Sequence, residues 1–312
     1  MSVESAMFYI RVPASTANLG PGFDSIGMAL GLYLDIQGRY SDQWEVIPLS
    51  EELSSFPSDE TNYIVNVAKE VAGYYGKQLR PCRLEIASEI PLARGLGSSA
   101  SAIVAGIELA NLTAELGLST KEKSRHASMI EGHPDNAAAS VMGGLVVGWH
   151  SDDATDVLSF PIEGIKVIAV IPNYELKTED SRNALPDKLA FKDAIHGSAA
   201  ANVFLGAVLS GNWSLAGEMM NRDRFHQSYR AHLVPHLPRI EAMVKAIGAY
   251  GTALSGAGPT VLCLVPENAA CSVQKSLQNE FPDFDVKVLD IDNEGSKILV
   301  LEDEHTKPAW IG

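Results

Sequence analysis

A glycine-rich segment between a predicted strand and a predicted helix constrains this 312-residue chain more than any other part of its sequence. The segment reads Pro91-Leu-Ala-Arg-Gly-Leu-Gly-Ser-Ser-Ala100 and follows a strand pattern at residues 84–86. A helical pattern with aligned apolar positions runs from about residue 98 to 116. Glycine permits positive φ and close approach of a ligand, and a helix N-terminus offers unpaired N–H groups. The segment therefore indicates a phosphate-binding loop.

Other glycine-rich loops fit this segment poorly. It has neither the GxxxxGK[ST] pattern nor a lysine after the glycines, so it is no Walker A loop. The dinucleotide pattern GxGxxG is absent, and Ala100 stands where a GxSxG nucleophile elbow needs glycine. An ordinary tight turn in which Ser98 and Ser99 cap the helix remains an alternative on local sequence alone.

Strand and helix patterns alternate along both halves of the chain. Strands are predicted near residues 8–13, 30–40, 44–48, 84–86, 145–149, 167–171, 261–265, 286–289 and 298–301. Helices are predicted near residues 62–75, 98–116, 197–209, 239–246 and 269–281. The order predicts an α+β or mixed α/β fold. A short acidic loop at residues 152–156 suggests a domain boundary near residue 160, giving domains of residues 1–160 and 161–312.

Charge, cysteine spacing and the lengths of apolar runs indicate which partners and which cellular compartment to expect. Asp and Glu outnumber Lys and Arg by 39 to 24, a formal charge of −15, which argues against nucleic acid and anionic membranes as partners. The three cysteines are widely spaced and indicate neither a disulfide framework nor a CxxC metal site. The N-terminus lacks a signal-peptide pattern and no apolar run reaches about 20 residues, so a soluble, cytoplasmic protein is expected.

Three ordered motifs resemble those of the GHMP kinases. The glycine-rich segment is similar to their PxxxGLGSSAS phosphate loop. Pro13-Ala-Ser-Thr-Ala-Asn-Leu-Gly-Pro-Gly-Phe-Asp24 resembles the first motif in its homoserine-kinase form, and Leu254-Ser-Gly-Ala-Gly-Pro-Thr260 resembles the third. The resemblance implies an N-terminal ribosomal-protein-fold-like α/β domain that carries the phosphate loop and a C-terminal ferredoxin-like α+β domain.

Three polar groups elsewhere in the sequence suit a small charged ligand. Asn18 and Asp24 flank a Gly-Pro-Gly turn, where they could equally serve local turn chemistry. Glu131-Gly-His-Pro-Asp-Asn136 is a dense polar group that could also be a solvated loop after a helix. Thr178 and Arg182, four residues apart, share a face if their segment is helical. Arg182 and Arg230 could clamp a carboxylate or merely pair with surface acids.

The resemblance assigns roles to these residues. It implies that the amino acid is held by Asn18, Asp24, His133, Arg182 and Arg230. It implies that Asn136, Asp135 and Thr178 act near the reacting hydroxyl, with the role of Asp135 as a base left open. It implies that ATP binds at Asn62, Pro91, Leu92, Ala93, Arg94, Gly95, Leu96, Gly97, Ser98, Ser99 and Ala100. Ser99 and Glu131 are implied as Mg²⁺ ligands, although some homoserine kinases have extra residues between this Glu and the His.

The activity implied by the resemblance is ATP-dependent phosphorylation of the side-chain hydroxyl of L-homoserine, a step of threonine biosynthesis. One alternative is a GHMP kinase that acts on mevalonate or another isoprenoid alcohol. Another is a non-catalytic nucleotide-binding regulator, against which the undamaged loop and the Glu131–Asn136 group argue. Exposed sheet edges make a homodimer an expectation. His232 and His236 flank Pro235 without a third clustered ligand, so they are interpreted as structural histidines.

Overall fold

A computed structural model describes residues 7–301 of the chain. Its strands are β1 (Met7–Asn18), β2 (Gly22–Tyr40), β3 (Glu45–Pro48), β4 (Cys82–Ser88), β5 (Leu145–His150), β6 (Thr155–Phe160), β7 (Ile165–Ile171), β8 (Gly251–Leu254), β9 (Val261–Pro266), β10 (Asp285–Leu289) and β11 (Lys297–Leu301). Its helices are α1 (Tyr63–Tyr74), α2 (Ser98–Thr113), α3 (Thr120–Glu131), α4 (Asp135–Met142), α5 (Thr178–Asn183), α6 (Phe191–Leu209), α7 (Trp213–Met220), α8 (Gln227–Arg230), α9 (Leu237–Val244) and α10 (Ala270–Glu280).

The first sheet has seven strands and is built around the long strand β2. Its main path is β11-β1-β2-β4-β3, and β5 pairs with the first part of β2 and with β6. A tight turn at residues 19–21 joins β1 to β2, so the two strands form one antiparallel hairpin. β3 runs parallel to β4. Buried side chains of α1 and α2 join those of this sheet in one continuous core.

The second sheet has four antiparallel strands in the order β10-β7-β9-β8. Alternate residues of β7 enter different cores, as expected for a strand whose side chains point to opposite faces. Val167, Ala169 and Ile171 join the core shared with the first sheet, α6 and α7. Ile168 and Val170 join a second core with α9 and α10. Helices therefore cover this sheet on both faces.

The mixed α and β architecture predicted from the sequence is confirmed, but several element ends differ, and α4, α7, α8 and β6 were not predicted. The helix predicted to reach residue 116 ends at Thr113, because Glu115 and Gly117 take positive φ. Helix α3 was missed, although Ser119 and Glu122 form a capping box at its start. The predicted acidic loop at residues 152–156 overlaps the start of β6 at Thr155.

The C-terminal part of the described chain returns to the first sheet, where β11 pairs with β1 from Met7↔Leu301 to Arg11↔Lys297. The domain boundary near residue 160 stays a prediction. Among the described residues, no helix combines the length and the apolar character needed to cross a membrane.

Candidate functional site

The three motifs singled out in the sequence interlock in space. Ser15 N–H donates to the Leu96 carbonyl at 3.2 Å, which ties the first motif to the phosphate loop. The Ser255 hydroxyl lies 2.9 Å from Thr16 Oγ1 and 2.6 Å from the Gly95 carbonyl. Through these contacts the third motif reaches both of the others, and all three surround one cleft.

The main chain of the loop directs its acceptors into the protein and leaves its donors unused. The carbonyls of residues 93–97 each accept a hydrogen bond, from Leu176 N, Thr260 N, Ser255 Oγ, Ser15 N, and both Ser101 N and Oγ in turn. The N–H groups of residues 94–99 donate none within the described residues 7–301. Because unpaired main-chain N–H groups are costly unless water or a ligand satisfies them, this row of donors suits an anion.

Glycine is required at two positions of the loop. Gly95 and Gly97 have φ of +79° and +74°, and a Cβ on either would lie 2.3 Å from an oxygen of Ser255 or Ser15, respectively. Ala93 also has positive φ, at 51°. Backbone angles of this kind allow successive N–H groups to form a concave site for an anion.

Helix α2 begins without a capping side chain and without an acidic residue in its first turn. α3, by contrast, has both: Ser119 caps it and Glu122 lies in its first turn. An uncapped helix start keeps its partial positive charge and free N–H groups available for a phosphate. The alternative in which Ser98 or Ser99 caps the helix is therefore wrong.

Two pockets meet at this helix start. A polar cleft with a cavity volume of about 90 Å³, open to solvent, extends toward the first and third motifs. A larger, mostly apolar pocket with a cavity volume of about 550 Å³ extends over β3, β4 and the start of α1. Ala93, Ser98, Ser99 and Thr178 line both. This pair of pockets fits a ligand with an apolar ring at one end and a polyphosphate at the junction.

Most of the residues predicted from the sequence line these pockets. The polar cleft is lined by Asn18, Asp24, Ala93, Gly95, Gly97, Ser98, Ser99, Glu131, His133, Asp135, Asn136, Thr178, Arg182 and Arg230. The apolar pocket is lined by Asn62 and Leu92 as well as the shared residues. Pro91, Arg94, Leu96 and Ala100 line neither pocket, and Leu96 and Ala100 are buried in the core.

Glu131 lines the polar cleft together with Ser99. Burial raises the pKa of Glu131, and the charge of Asp135 adds to that rise, while the charges of His133 and Arg182 oppose it. Burial likewise raises the pKa of the Tyr63 phenol. A carboxylate and a hydroxyl are oxygen donors of the kind that Mg²⁺ prefers, so Ser99 and Glu131 fit such an ion.

The start of α4 holds a hydrogen-bonded polar chain. His133 Nδ1 lies 2.5 Å from Asp135 Oδ1, which also accepts from Asn136 N–H at 2.8 Å. Burial opposes charge on His133, but the hydrogen bond and charge of Asp135, with Asp24 and Glu131, outweigh it and raise the pKa of the imidazole. Asn136 Oδ1 accepts from Ser15 Oγ at 3.1 Å. The Asn136 Nδ2 group donates no hydrogen bond within the described residues.

Asn18 and Asp24 have different surroundings. The Asn18 amide donates to the Gly256 carbonyl at 3.1 Å and accepts from Asp24 N–H at 3.0 Å, so it fixes the turn between β1 and β2. Asp24 accepts a two-pronged contact from Arg182, at 2.9 and 3.2 Å. α5 is helical as the spacing of Thr178 and Arg182 required, and both residues face the polar cleft.

Arg230 is the most deeply placed cation of the cleft, with 2% of its surface exposed. Its guanidinium donates to the carbonyls of Ser181 at 3.1 Å and Gly256 at 3.0 Å. Burial, followed by the charge of Arg182, lowers the pKa of Arg230 to about 10. A guanidinium in this position favours a negatively charged partner in the cleft.

Sequence reasoning missed the buried group that supports Arg230. His226 Nδ1 lies 3.3 Å from Arg230 Nη1, and its Nε2 lies 2.8 Å from the Gly20 carbonyl. Burial lowers the pKa of His226, so the neutral ring donates through Nε2 and accepts through Nδ1. Asp223 accepts from the N–H groups of Phe225, His226 and Gln227. The four-residue spacing of His226 and Arg230 was the available signal.

Asn62 caps α1 rather than standing free in the apolar pocket. Its Oδ1 accepts from Ile64 N–H at 3.0 Å and its Nδ2 donates to the Pro57 carbonyl at 2.8 Å. A contact with a nucleotide base would have to use the remaining hydrogen-bonding capacity of this amide.

Comparison with known proteins agrees with this geometry. The family model for the GHMP kinase N-terminal domain matches residues 62–144, and that for the GHMP kinase C-terminal domain matches residues 204–283. A homoserine kinase of Bacillus pumilus is 48% identical over 295 residues, 95% of each chain. A homoserine kinase of Halalkalibacterium halodurans is 46% identical over 303 residues, covering 96% of this chain and 98% of the relative.

Solved structures show the same fold. A homoserine kinase from Cytophaga hutchinsonii superposes with a TM-score of 0.83 at 26% identity, covering 94% of this chain and 97% of the other. A mevalonate kinase superposes with a TM-score of 0.69 at 21% identity, covering 92% and 99%, which shows a shared fold alone. The predicted resemblance is confirmed: this chain belongs to the homoserine kinase family of the GHMP kinases, which are ATP-dependent small-molecule kinases.

Proposed function

We propose that this chain transfers the γ-phosphate of ATP to the side-chain hydroxyl of L-homoserine, giving O-phospho-L-homoserine and ADP. The observation that carries the proposal is the junction of the two pockets at Ser98 and Ser99, where the N–H groups of residues 94–99 donate no hydrogen bond to any residue that the structure describes. A nucleotide base and ribose would occupy the apolar pocket. The triphosphate would then run along these N–H groups into the polar cleft, where the acceptor binds.

In this proposal the protein catalyses by positioning groups and neutralising charge, because the transition state of phosphoryl transfer is loose. Ser99 and Glu131 would hold Mg²⁺, which supplies positive charge against the phosphate oxygens when bound. The loop amides and the start of α2 add fixed partial charges without reorganisation during the reaction.

The acceptor end of the cleft carries groups of both signs, as an amino-acid zwitterion requires. Arg182 and Arg230 suit a carboxylate, whereas Asp24 and Asp135 suit an ammonium group. Arg182 already pairs with Asp24, so the zwitterion would exchange this contact for two of its own. His133 and Asn18 complete the wall of the cleft, the latter by holding the turn that carries Asp24.

The reacting hydroxyl would lie near Asn136, Asp135 and Thr178. The Asn136 Nδ2 donor can orient the hydroxyl oxygen or a γ-phosphate oxygen. Thr178 lines both pockets and therefore stands next to the γ-phosphate position. The hydroxyl proton leaves with the transfer of the phosphoryl group, either to Asp135 or to a phosphate oxygen.

Charge at the acceptor end also separates homoserine from the alternative acceptors. Mevalonate carries a carboxylate but no ammonium group, so it would leave Asp24 without a cationic partner other than Arg182. A non-catalytic regulator would not need the polar group at residues 131–136 beside the loop. We therefore favour the amino acid. We further propose a cytoplasmic location and a role in threonine biosynthesis, to which the free cysteines Cys82, Cys263 and Cys271 offer no obstacle.

A coupled assay of ADP release tests the proposal directly. The purified chain is supplied with ATP, with and without Mg²⁺, and with L-homoserine, L-serine, L-threonine or mevalonate in turn. We expect metal-dependent turnover that is fastest with L-homoserine, and the phosphorylated product identified by mass spectrometry. Faster turnover of mevalonate, or ADP release that does not depend on any acceptor, would contradict the assignment.

A further inference from the structure

The Arg94 side chain belongs to the phosphate loop but lines neither of the two pockets. Its Nε donates to the Pro172 carbonyl at 3.1 Å, and its Nη2 donates to the Asn173 carbonyl at 3.3 Å. Its Nη1 donates to the Leu92 carbonyl at 3.0 Å and lies 3.4 Å from Glu175 Oε1. Three carbonyls from two separate segments therefore converge on one guanidinium.

The segment whose carbonyls accept hydrogen bonds from Arg94, at residues 172–173, leads directly into α5. Asn173 lies five residues before Thr178, and Leu176 N–H donates to the Ala93 carbonyl at 3.2 Å. The phosphate loop is thus tied to this segment twice, through the Arg94 side chain and through the Ala93 main chain. Ala93 has a positive φ of 51°, an unusual conformation for a residue with a Cβ that such ties can hold in place.

α5 presents Thr178 to the junction of the two pockets and Arg182 to the acceptor cleft. Its own residues are held from the other side, because Ser181 Oγ donates to the Ala257 carbonyl and the Ser181 carbonyl accepts from Arg230. A shift of the phosphate loop would therefore reach the acceptor cleft through the segment at residues 172–176.

We propose that Arg94 is a positioning residue that links the phosphate loop to α5, so that a nucleotide bound to the loop orients Thr178 and Arg182 for the acceptor. The inference rests on the proposed function, since it takes these two residues as acceptor contacts. Arginine suits the task because its planar fork donates to several carbonyls at once, which a lysine ammonium on a flexible stem does not. Glu175 contributes little, because its side chain is 65% exposed.

Calorimetry on the full chain tests this link through a ratio of affinities. The affinity for L-homoserine is measured with and without saturating Mg²⁺ and a non-hydrolysable ATP analogue. In the unchanged protein we expect the nucleotide analogue to raise homoserine affinity by roughly 5- to 100-fold, the usual size of coupling between sites. In Arg94→Met and Arg94→Lys the ratio should fall to about 1, with the analogue supplied at a concentration that saturates each variant so that its own affinity does not enter the ratio.

Glu175→Gln is the matched control, because it removes the exposed ion pair and leaves the carbonyl contacts, so its ratio should equal that of the unchanged protein. A purely structural role for Arg94 would lower the melting temperature without moving the ratio. If Arg94→Met does not fold, Arg94→Lys carries the test. An unchanged ratio in the folded Arg94 variant, or a ratio of 1 in the unchanged protein, would overturn the proposal.

Hydrogen exchange at residues 176–183 with the ATP analogue alone separates this inference from the proposed function. Protection that the analogue confers on the unchanged protein but not on the Arg94 variants supports the link, even if no homoserine is phosphorylated. Turnover of homoserine together with equal protection in all variants would leave the function standing and refute the link.

Discussion

Phe23 lies against both arginines of the acceptor end, 5.4 Å from the Arg230 guanidinium and 5.9 Å from that of Arg182, measured to the ring centroid. Its other neighbour is the His226 ring, stacked at 5.4 Å. An aromatic face beside two cations reduces their mutual repulsion and fixes their directions. The acceptor end therefore depends on a residue that neither hydrogen-bonds nor titrates.

Arg182 provides the most direct residue-level test of the acceptor site. In Arg182→Met we expect KM for homoserine to rise roughly 10- to 100-fold, because a charge-assisted contact to the carboxylate is lost. KM for ATP should stay within about twofold. Arg222→Met is the control, since Arg222 is an exposed arginine paired only loosely with Glu218 at 4.0 Å. Equal rises in both KM values would place Arg182 outside the acceptor site.

His226 gives the site a pH dependence whose sign follows from its lowered pKa. Below the ordinary His pKa of about 6.5 the unfolded chain binds a proton that the buried ring resists, so stability falls as pH decreases. When the ring does become protonated, it can no longer accept from Arg230 and adds a second positive charge, although Asp223 and Asp24 lie near.

We therefore expect KM for homoserine to rise as pH falls through the pKa of His226. In His226→Asn the amide oxygen can replace Nδ1 as the acceptor for Arg230. The rise in KM for homoserine that His226 protonation causes at low pH should then disappear. KM for homoserine and KM for ATP are measured in both proteins from about pH 5 to 8. Protonation of ATP and of His133 affects both proteins, so the difference between their pH profiles reports His226. An identical rise in KM for homoserine at low pH in the two proteins would show that His226 does not govern the contact between Arg230 and the acceptor.

Among the elements, helix α2 is the one whose N-terminus is proposed to bind phosphate. A negative charge introduced there should change helix stability and ATP binding in opposite directions. Ser98→Asp should stabilise the helix by about 0.3–1 kcal/mol through its dipole, yet weaken ATP binding by roughly 100-fold through repulsion. Thr120→Asp, in the first turn of α3, should stabilise without affecting ATP. Thermal unfolding and nucleotide calorimetry measure the two quantities. Unimpaired ATP binding in Ser98→Asp would remove the triphosphate from this helix start.

The start of α1 separates a structural from a nucleotide role for Asn62. Asn62→Ala should cost about 1 kcal/mol of stability, whereas Asn62→Asp should keep most of it because the carboxylate still accepts from Ile64 N–H. If the amide also contacts the base, KM for ATP should rise roughly three- to tenfold in both variants. Denaturant unfolding and steady-state kinetics supply the data. An unaltered KM for ATP in both would leave Asn62 with capping alone.

Elements and motifs with local signals were predictable from the sequence, whereas contacts between distant segments were not. The phosphate loop, the turn between β1 and β2 and the polar group at residues 131–136 follow from glycine, proline and polar residues within short windows. Arg94 donates hydrogen bonds to the carbonyls of Pro172 and Asn173, and β11 pairs with β1. Both sets of contacts join residues 78 or more positions apart. No local pattern specifies such partners, so the contacts of the Arg94 side chain became clear only in three dimensions.

At the scale of the whole molecule, the site lies where the two sheets meet and is built from both. The first sheet supplies the loop through β4 and α2, and the second supplies α5 and the turn after β8. The continuous core that includes residues of β1, β2, β7 and β9 holds these parts in register. The formal charge of −15 over the whole chain makes this local arrangement of N–H groups and arginines necessary for an anionic ligand. The homodimer expected from exposed sheet edges stays a prediction.

A structure of the chain bound to Mg²⁺, a non-hydrolysable ATP analogue and L-homoserine tests the central claim most directly. We predict that phosphate oxygens lie within hydrogen-bond distance of N–H groups of residues 94–99, with the base in the apolar pocket and the homoserine hydroxyl facing the γ-phosphate. A polyphosphate bound away from these N–H groups, or held mainly by side chains elsewhere, would contradict the account.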